Sequence, residues 1–201
     1  MKKIFQNPLK IVLTIFVVSV SIIVLSHSFL EGYGFHLNFS ISRYIGLELW
    51  SAIFFFICNL FNIFLLIKFF LQFRREHRMN FFWQLAYIIM LIGFFVLSAC
   101  PVGLFDIAWG EFGTVSILHR TFAGIMFTSA IIVMLSTIFK FKNNKKLLLS
   151  GLLFSVFGVI FIVFFKLQIP WFMNVFLIPE ALFLLWFVLI FLRLPFVQEG
   201  K

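Results

Sequence analysis

Six long apolar runs dominate this 201-residue chain, at roughly 10–30, 48–72, 81–101, 118–139, 148–168 and 176–195. A helix needs about 20 mostly apolar residues to cross a bilayer, and every run is near that length. Strands of a membrane barrel would be shorter and would alternate polar with apolar residues, which these runs do not. The runs therefore predict an all-α integral membrane bundle of six transmembrane helices, one domain over residues 1–201.

Composition narrows the alternatives. The chain is 63% hydrophobic and 11% charged, with 34 Phe, whereas a soluble domain is about 45–50% apolar and about 25% charged. So apolar a chain cannot bury its surface around one core in water, and it cannot be disordered. Two cysteines exclude a disulfide scaffold. Cys58 falls in mid-run and Cys100 near the end of the third run, a depth mismatch that predicts two free thiols. The first run follows Met1-Lys2-Lys3 but is too long for a signal peptide. Ser26-His27-Ser28-Phe29 is also a poor cleavage site, so the run reads as an uncleaved first helix.

Charge supplies the orientation. With the N-terminus in the cytoplasm, 13 of the 16 Lys and Arg fall in cytoplasmic segments. Only Arg43, Arg120 and Lys166 lie opposite, together with Glu31, Glu48, Asp106, Glu111 and Glu180. That asymmetry satisfies the positive-inside rule with both termini cytoplasmic, in an inner or plasma membrane. It also excludes nucleic acid as a partner despite the net charge of +9, because the basic residues punctuate apolar runs instead of forming a patch. Membrane lipids are the expected partners. Protein partners and a homo-oligomer are left open.

Polar residues inside the runs are informative because hydrocarbon offers them no partner. Asn59 and Asn62 are three apart and share a helix face, for a ligand contact or for interhelical hydrogen bonding. Gly151, Ser155 and Gly158 form a small-residue stripe, and Gly93, Ser98 and Ala99 another, both suited to close helix packing. Trp50, Trp109 and Trp171 at one set of run ends, and Trp83 at the other, read as interfacial anchors. His77, in the basic turn with Arg74, Arg75 and Arg78, reads as solvated. Pro179-Glu180 opens the last run, where proline suits a first turn and a carboxylate favours the helix dipole. Glu180 would also face the outer vestibule.

The two longer connections, 31–47 and 102–117, lie on the outer side. The second places Asp106 and Glu111 just before His119 and Arg120, with His119 expected in the first turn of the fourth helix. Glu31, His27, His36 and Arg43 share that side. Three chemistries compete. Imidazole plus carboxylate is a general base for hydrolysis or acyl transfer on a lipid. His119 with His27 or His36 and an acid would bind zinc, but no two histidines have a close ligand spacing. The acid–His–Arg group would alternatively pin the loop to the helix ends or hold a lipid phosphate. No metal and no cofactor are expected, since no histidine lies at the mid-membrane depth that haem between helices requires.

The leading reading is a protein that holds a lipid or small ligand at a polar vestibule of Asp106, Glu111, His119 and Arg120, with Asn62 beneath, or that scaffolds membrane components. The alternative is a membrane-embedded lipid hydrolase or transferase with His119 as base, oriented by Asp106. It lacks a nucleophile motif such as Gly-x-Ser-x-Gly. A small transporter is third: the runs carry no mid-helix charge and no Gly- or Pro-broken pair of helices.

Three stretches carry a family resemblance. Ile41-Ser42-Arg43-Tyr44-Ile45-Gly46 precedes the second run, Phe61-Asn62 falls within it, and Gly93 to Cys100-Pro101 is followed by Asp106 and by His119 with Phe122-Ala123 and Phe127. From about Ile41 to Phe127 the chain resembles the six-helix membrane family catalogued as domain of unknown function 998, and more distantly the eukaryotic FRAG/DRAM/Sfk group. It departs from the pattern at Arg43, where an acid is usual, and at Cys100, where Phe is usual. The resemblance implies Asp106 and His119 as site residues. By analogy with relatives linked to lipid remodelling, it also implies a lipid-related role.

Overall fold

The structure, a computed structural model, describes residues 2–32, 34–37, 39–100 and 114–192. Helices occupy every apolar run. Helix α1 spans Lys2–Leu25 and passes into a π turn over Ser26–Leu30. A short α2, Ile41–Ile45, precedes α3, Leu49–His77, and α4, Phe81–Ala99. Then come α5, Thr114–Lys140, α6, Lys145–Lys166, the single turn α7, Pro170–Met173, and α8, Leu177–Leu192. No strand occurs among the described residues.

Among the described residues five stretches are long and apolar enough to cross a membrane: Pro8–Leu30, Leu49–His77, Phe81–Ala99, Ile117–Lys140 and Lys145–Lys166. Helix α8 is equally apolar, but its 16 described residues span about 24 Å, short of the ~30 Å hydrocarbon core. Residues 193–195 of the expected sixth run lie outside the described residues.

Short polar signals set the helix ends. The Asn80 side chain accepts from Trp83 N–H at 2.8 Å and starts α4; the Asn144 side chain accepts from Leu147 N–H at 3.1 Å and starts α6. Arg78, at φ 46°, takes the left-handed conformation that ends α3. The resulting turns are tight, and Arg74, Arg75, Lys140 and Lys145 gather at one end of the bundle, the basic end.

Packing forms a closed ring in chain order. Helix α1 packs on α3, α3 on α4, α4 on α5, α5 on α6, α6 on α8, and α8 returns to α1. Small residues permit the close approaches. A Cβ on Gly93 would sit 2.9 Å from Met126 Cβ, which is why α4 and α5 lie so near each other. On α6, a Cβ on Gly158 would lie 2.7 Å from Phe183 and 2.8 Å from Ile131, and one on Gly151 would overlap Ile138. The expected small-residue stripe is thus where α6 meets α5 and α8. Outward positions such as Leu149, Val156 and Ile160 on α6 and Ile53, Ile57 and Phe64 on α3 are exposed and apolar. Such a surface suits lipid and not water.

Two expectations are overturned at the basic end. Trp83 is no interfacial anchor. It is fully buried, stacked on Phe70 (centroids 5.6 Å apart, planes 1° apart), Phe73 and Tyr87, and its Nε1–H donates to Thr137 Oγ1 at 2.9 Å. Because Asn80 starts α4 three residues earlier, Trp83 turns inward and Phe81 and Phe82 take the exposed boundary positions. His77 is not solvated either: it is 6% exposed, between Phe73 and Phe141 with centroids at 4.5 and 5.0 Å. Helix α3 continues past residue 72 to His77, and an i,i+4 spacing lays the imidazole on the Phe73 face.

Candidate functional site

At the end opposite the basic one, the connection between α1 and α3 folds back over the ring. The π turn buries His27, whose Nδ1 pairs with the Glu31 carboxylate; Glu31 also accepts from Trp50 Nε1–H at 2.9 Å. The buried Tyr44 hydroxyl accepts from His36 N–H at 2.6 Å and donates to the same residue's carbonyl at 3.2 Å. Arg43 is exposed and lies over the Phe39 ring, 4.4 Å from its centroid. Of the charged and imidazole groups expected to share this side, His27 and Glu31 form a pair of their own, and Arg43 points outward.

The start of α2 is held from far away in sequence. Glu180, in the first turn of α8, accepts from Ile41 N–H through Oε2 at 2.7 Å, across 139 residues. The carboxylate that seemed suited to its own helix dipole thus also satisfies an otherwise orphan N–H of another helix. Ring closure makes this contact: α2 and α8 meet because α8 returns to α1.

His119 projects inward from α5 and is 8% exposed. Its Nδ1 lies 2.6 Å from the Cys100 carbonyl oxygen. A carbonyl only accepts, so Nδ1 carries the proton and donates. The bond ties α5 to the residue that caps the end of α4, Cys100, whose own N–H bonds Val96 O. Helix α5 begins at Thr114, earlier than the run suggested, so His119 sits in the second turn and not the first. Beside it, Ser98 Oγ donates to Phe94 O at 2.6 Å and accepts from Asn59 Nδ2–H.

These groups border one small chamber of about 50 Å³, lined by His119, Ser98, Ser42 and Glu180 among apolar side chains from α1 to α5 and α8. That is room for one or a few waters. A larger cavity of about 270 Å³ adjoins it and shares Phe16, Ile41, Phe94, Met126 and Leu184 with it as walls.

Of the four expected vestibule residues, His119 lines the chamber. Arg120, the next residue on α5, is exposed and does not. Consecutive helix positions point about 100° apart, so an inward His119 turns Arg120 away. Asp106 and Glu111 lie outside the described residues, as does Trp109. Asn62 is 1% exposed, one turn along α3 from Asn59, and lines neither cavity. Asn59 bridges α3 to α4 through Ser98. The Oδ1 atoms of Asn59 and Asn62 find no hydrogen-bond partner among the described residues. Cys58 and Cys100 are both free thiols. Among the described residues no three His, Cys, Asp or Glu side chains come together as a metal-holding group. Sequence reasoning set Glu180 on the vestibule side but missed its bond to Ile41 and the place of Ser98 beside His119. The available signal was a lone carboxylate opening an apolar run.

Fold and composition define the class, a helical multi-pass membrane protein. No family model, curated protein or solved structure matches the chain.

Proposed function

We propose that this protein crosses an inner or plasma membrane six times with both ends cytoplasmic, and holds the polar part of a membrane lipid in the chamber around His119. The supporting observation is chemical. An imidazole, a carboxylate and two hydroxyls line one small cavity at one end of the bundle. Polar and ionisable groups are expensive in a bilayer-embedded bundle and mark sites more often than packing. Charge asymmetry favours the outer leaflet for that end. Asp106, Glu111 and Arg120, which follow or precede His119 closely in sequence, would form the rim.

Native mass spectrometry of the purified protein beside His119→Ala tests this. A defined lipid adduct on the wild type, lost in the variant, is expected. No adduct on either form would overturn the proposal. Lipid turnover by the wild type that disappears in His119→Gln would select the hydrolase or transferase alternative, with Asp106 orienting His119.

A further inference from the structure

The cavity of about 270 Å³ is too large for a packing defect. Helix interiors pack as densely as organic crystals, and voids beyond the size of a water are few. An engineered apolar cavity of roughly 150 Å³ stays dry and takes up benzene. Here the walls are apolar, with Leu66, Met90, Met126 and Phe183 among them.

The way in is legible from exposure. Every exposed residue on its lining, Val17, Ser21, Ala181 and Leu185, belongs to α1 or α8. The lining residues from α2 to α5 are buried or half-buried. The mouth therefore lies along the α1–α8 seam. These are the first and last long helices, and only packing closes the ring between them. Their exposed faces are apolar in the middle of the runs, so the mouth faces hydrocarbon and not water.

We infer that the cavity is an acyl-chain site entered sideways from the bilayer through the α1–α8 seam, for a single-chain lipid with an uncharged, hydroxyl-bearing headgroup of the monoacylglycerol kind. The headgroup half of this rests on the lipid-holding reading of the His119 chamber. Five shared wall residues set chain site and chamber side by side. One chain fits and two do not, because the volume of about 270 Å³ lies just below the roughly 300–1,000 Å³ of ligand pockets. A phosphate is disfavoured. Among the described residues the chamber lining holds no Lys or Arg to pair with a phosphate, and an anion stripped of water without such a partner is costly. Hydroxyls suit it, since carboxylate and serine oxygens accept from them.

The test uses the full chain in phosphatidylcholine nanodiscs with a monoacylglycerol bearing a mid-chain diazirine, cross-linked by light and mapped by peptide mass spectrometry. Label is expected on Phe94, Met126 or Leu184. Ala181→Trp blocks the mouth from an exposed position and leaves the buried core intact; it should lower that label about tenfold, the loss of a few buried methylenes. Val17→Trp does the same from the opposite lip. Excess 1-oleoylglycerol should compete and 1-oleoyl lysophosphatidate should not. Label confined to outward residues such as Leu149 or Ile160, unmoved by either variant, overturns the chain site. Equal competition by lysophosphatidate overturns the headgroup assignment. If interior labelling holds while the His119→Ala adduct is unchanged, the chamber reading falls and the chain site stands; the reverse pattern leaves the chamber alone.

Discussion

The two ends of the bundle solve the same problem in opposite ways. At the basic end, Phe70, Phe73, Trp83 and Tyr87 stack into a solid aromatic plug, and the Trp83 indole N–H is satisfied by Thr137, which itself donates to Val133 O at 2.7 Å. At the other end, a chamber bordered by an imidazole, a carboxylate and hydroxyls adjoins an apolar cavity, and two buried carboxamide oxygens nearby lack partners among the described residues. Dense packing with its indole N–H paired marks a region that serves stability. Voids beside polar groups mark a region where something else is meant to fit. Polar groups are therefore read by what surrounds them: Thr137 and His119 are both buried on α5, yet only His119 faces space.

Substitutions separate the two ends. Trp83→Ala should have the largest effect, a loss of about 3–5 kcal/mol, because it opens the plug and removes the bond to Thr137. Thermal or denaturant unfolding in detergent reads it, and an unchanged midpoint would mean the plug is no core. Gly158→Val should cost about 1–3 kcal/mol by forcing Phe183 and Ile131 apart. Gly124→Ala on α5, where an added Cβ meets nothing within 4 Å, should be neutral or mildly favourable in the same assay. At the other end His119→Ala removes one hydrogen bond, about 1 kcal/mol, so the protein should still accumulate in the membrane while its lipid adduct is lost. Collapse of accumulation would make His119 structural and erase the contrast. Smallest of all, Asn62→Leu should be neutral or slightly stabilising, since it removes an unpaired buried oxygen, whereas Asn59→Leu should lose roughly 0.6 kcal/mol with its bond to Ser98. A large loss at Asn62 would reveal a partner for that carboxamide.

The same contrast explains what could be read early. The small-residue stripe on α6 needed no tertiary knowledge, because Gly151 and Gly158 announce close approach wherever they fall in a membrane helix. The free thiols followed from depth alone. Trp83 and His77 were misread because both sit at run ends, where the inward and outward positions differ by one or two residues. A single capping Asn and a few further residues of helix decided each case. Glu180 was noticed as a carboxylate, but its partner lay 139 residues away.

By itself the sequence determined the class, the placement of the apolar helices and the gathering of basic residues at one end. These follow from local quantities, run length and charge position, that need no partner to be read. The tertiary structure decided which faces meet. Helices that are apolar all round carry no stripe to say which side is inward, and lipid tails are as apolar as leucine, so shape and small residues select the neighbours. Only the return of α8 to α1 brings Glu180 to Ile41, sets it in one chamber with His119 and Ser98, and leaves a cavity open along the seam.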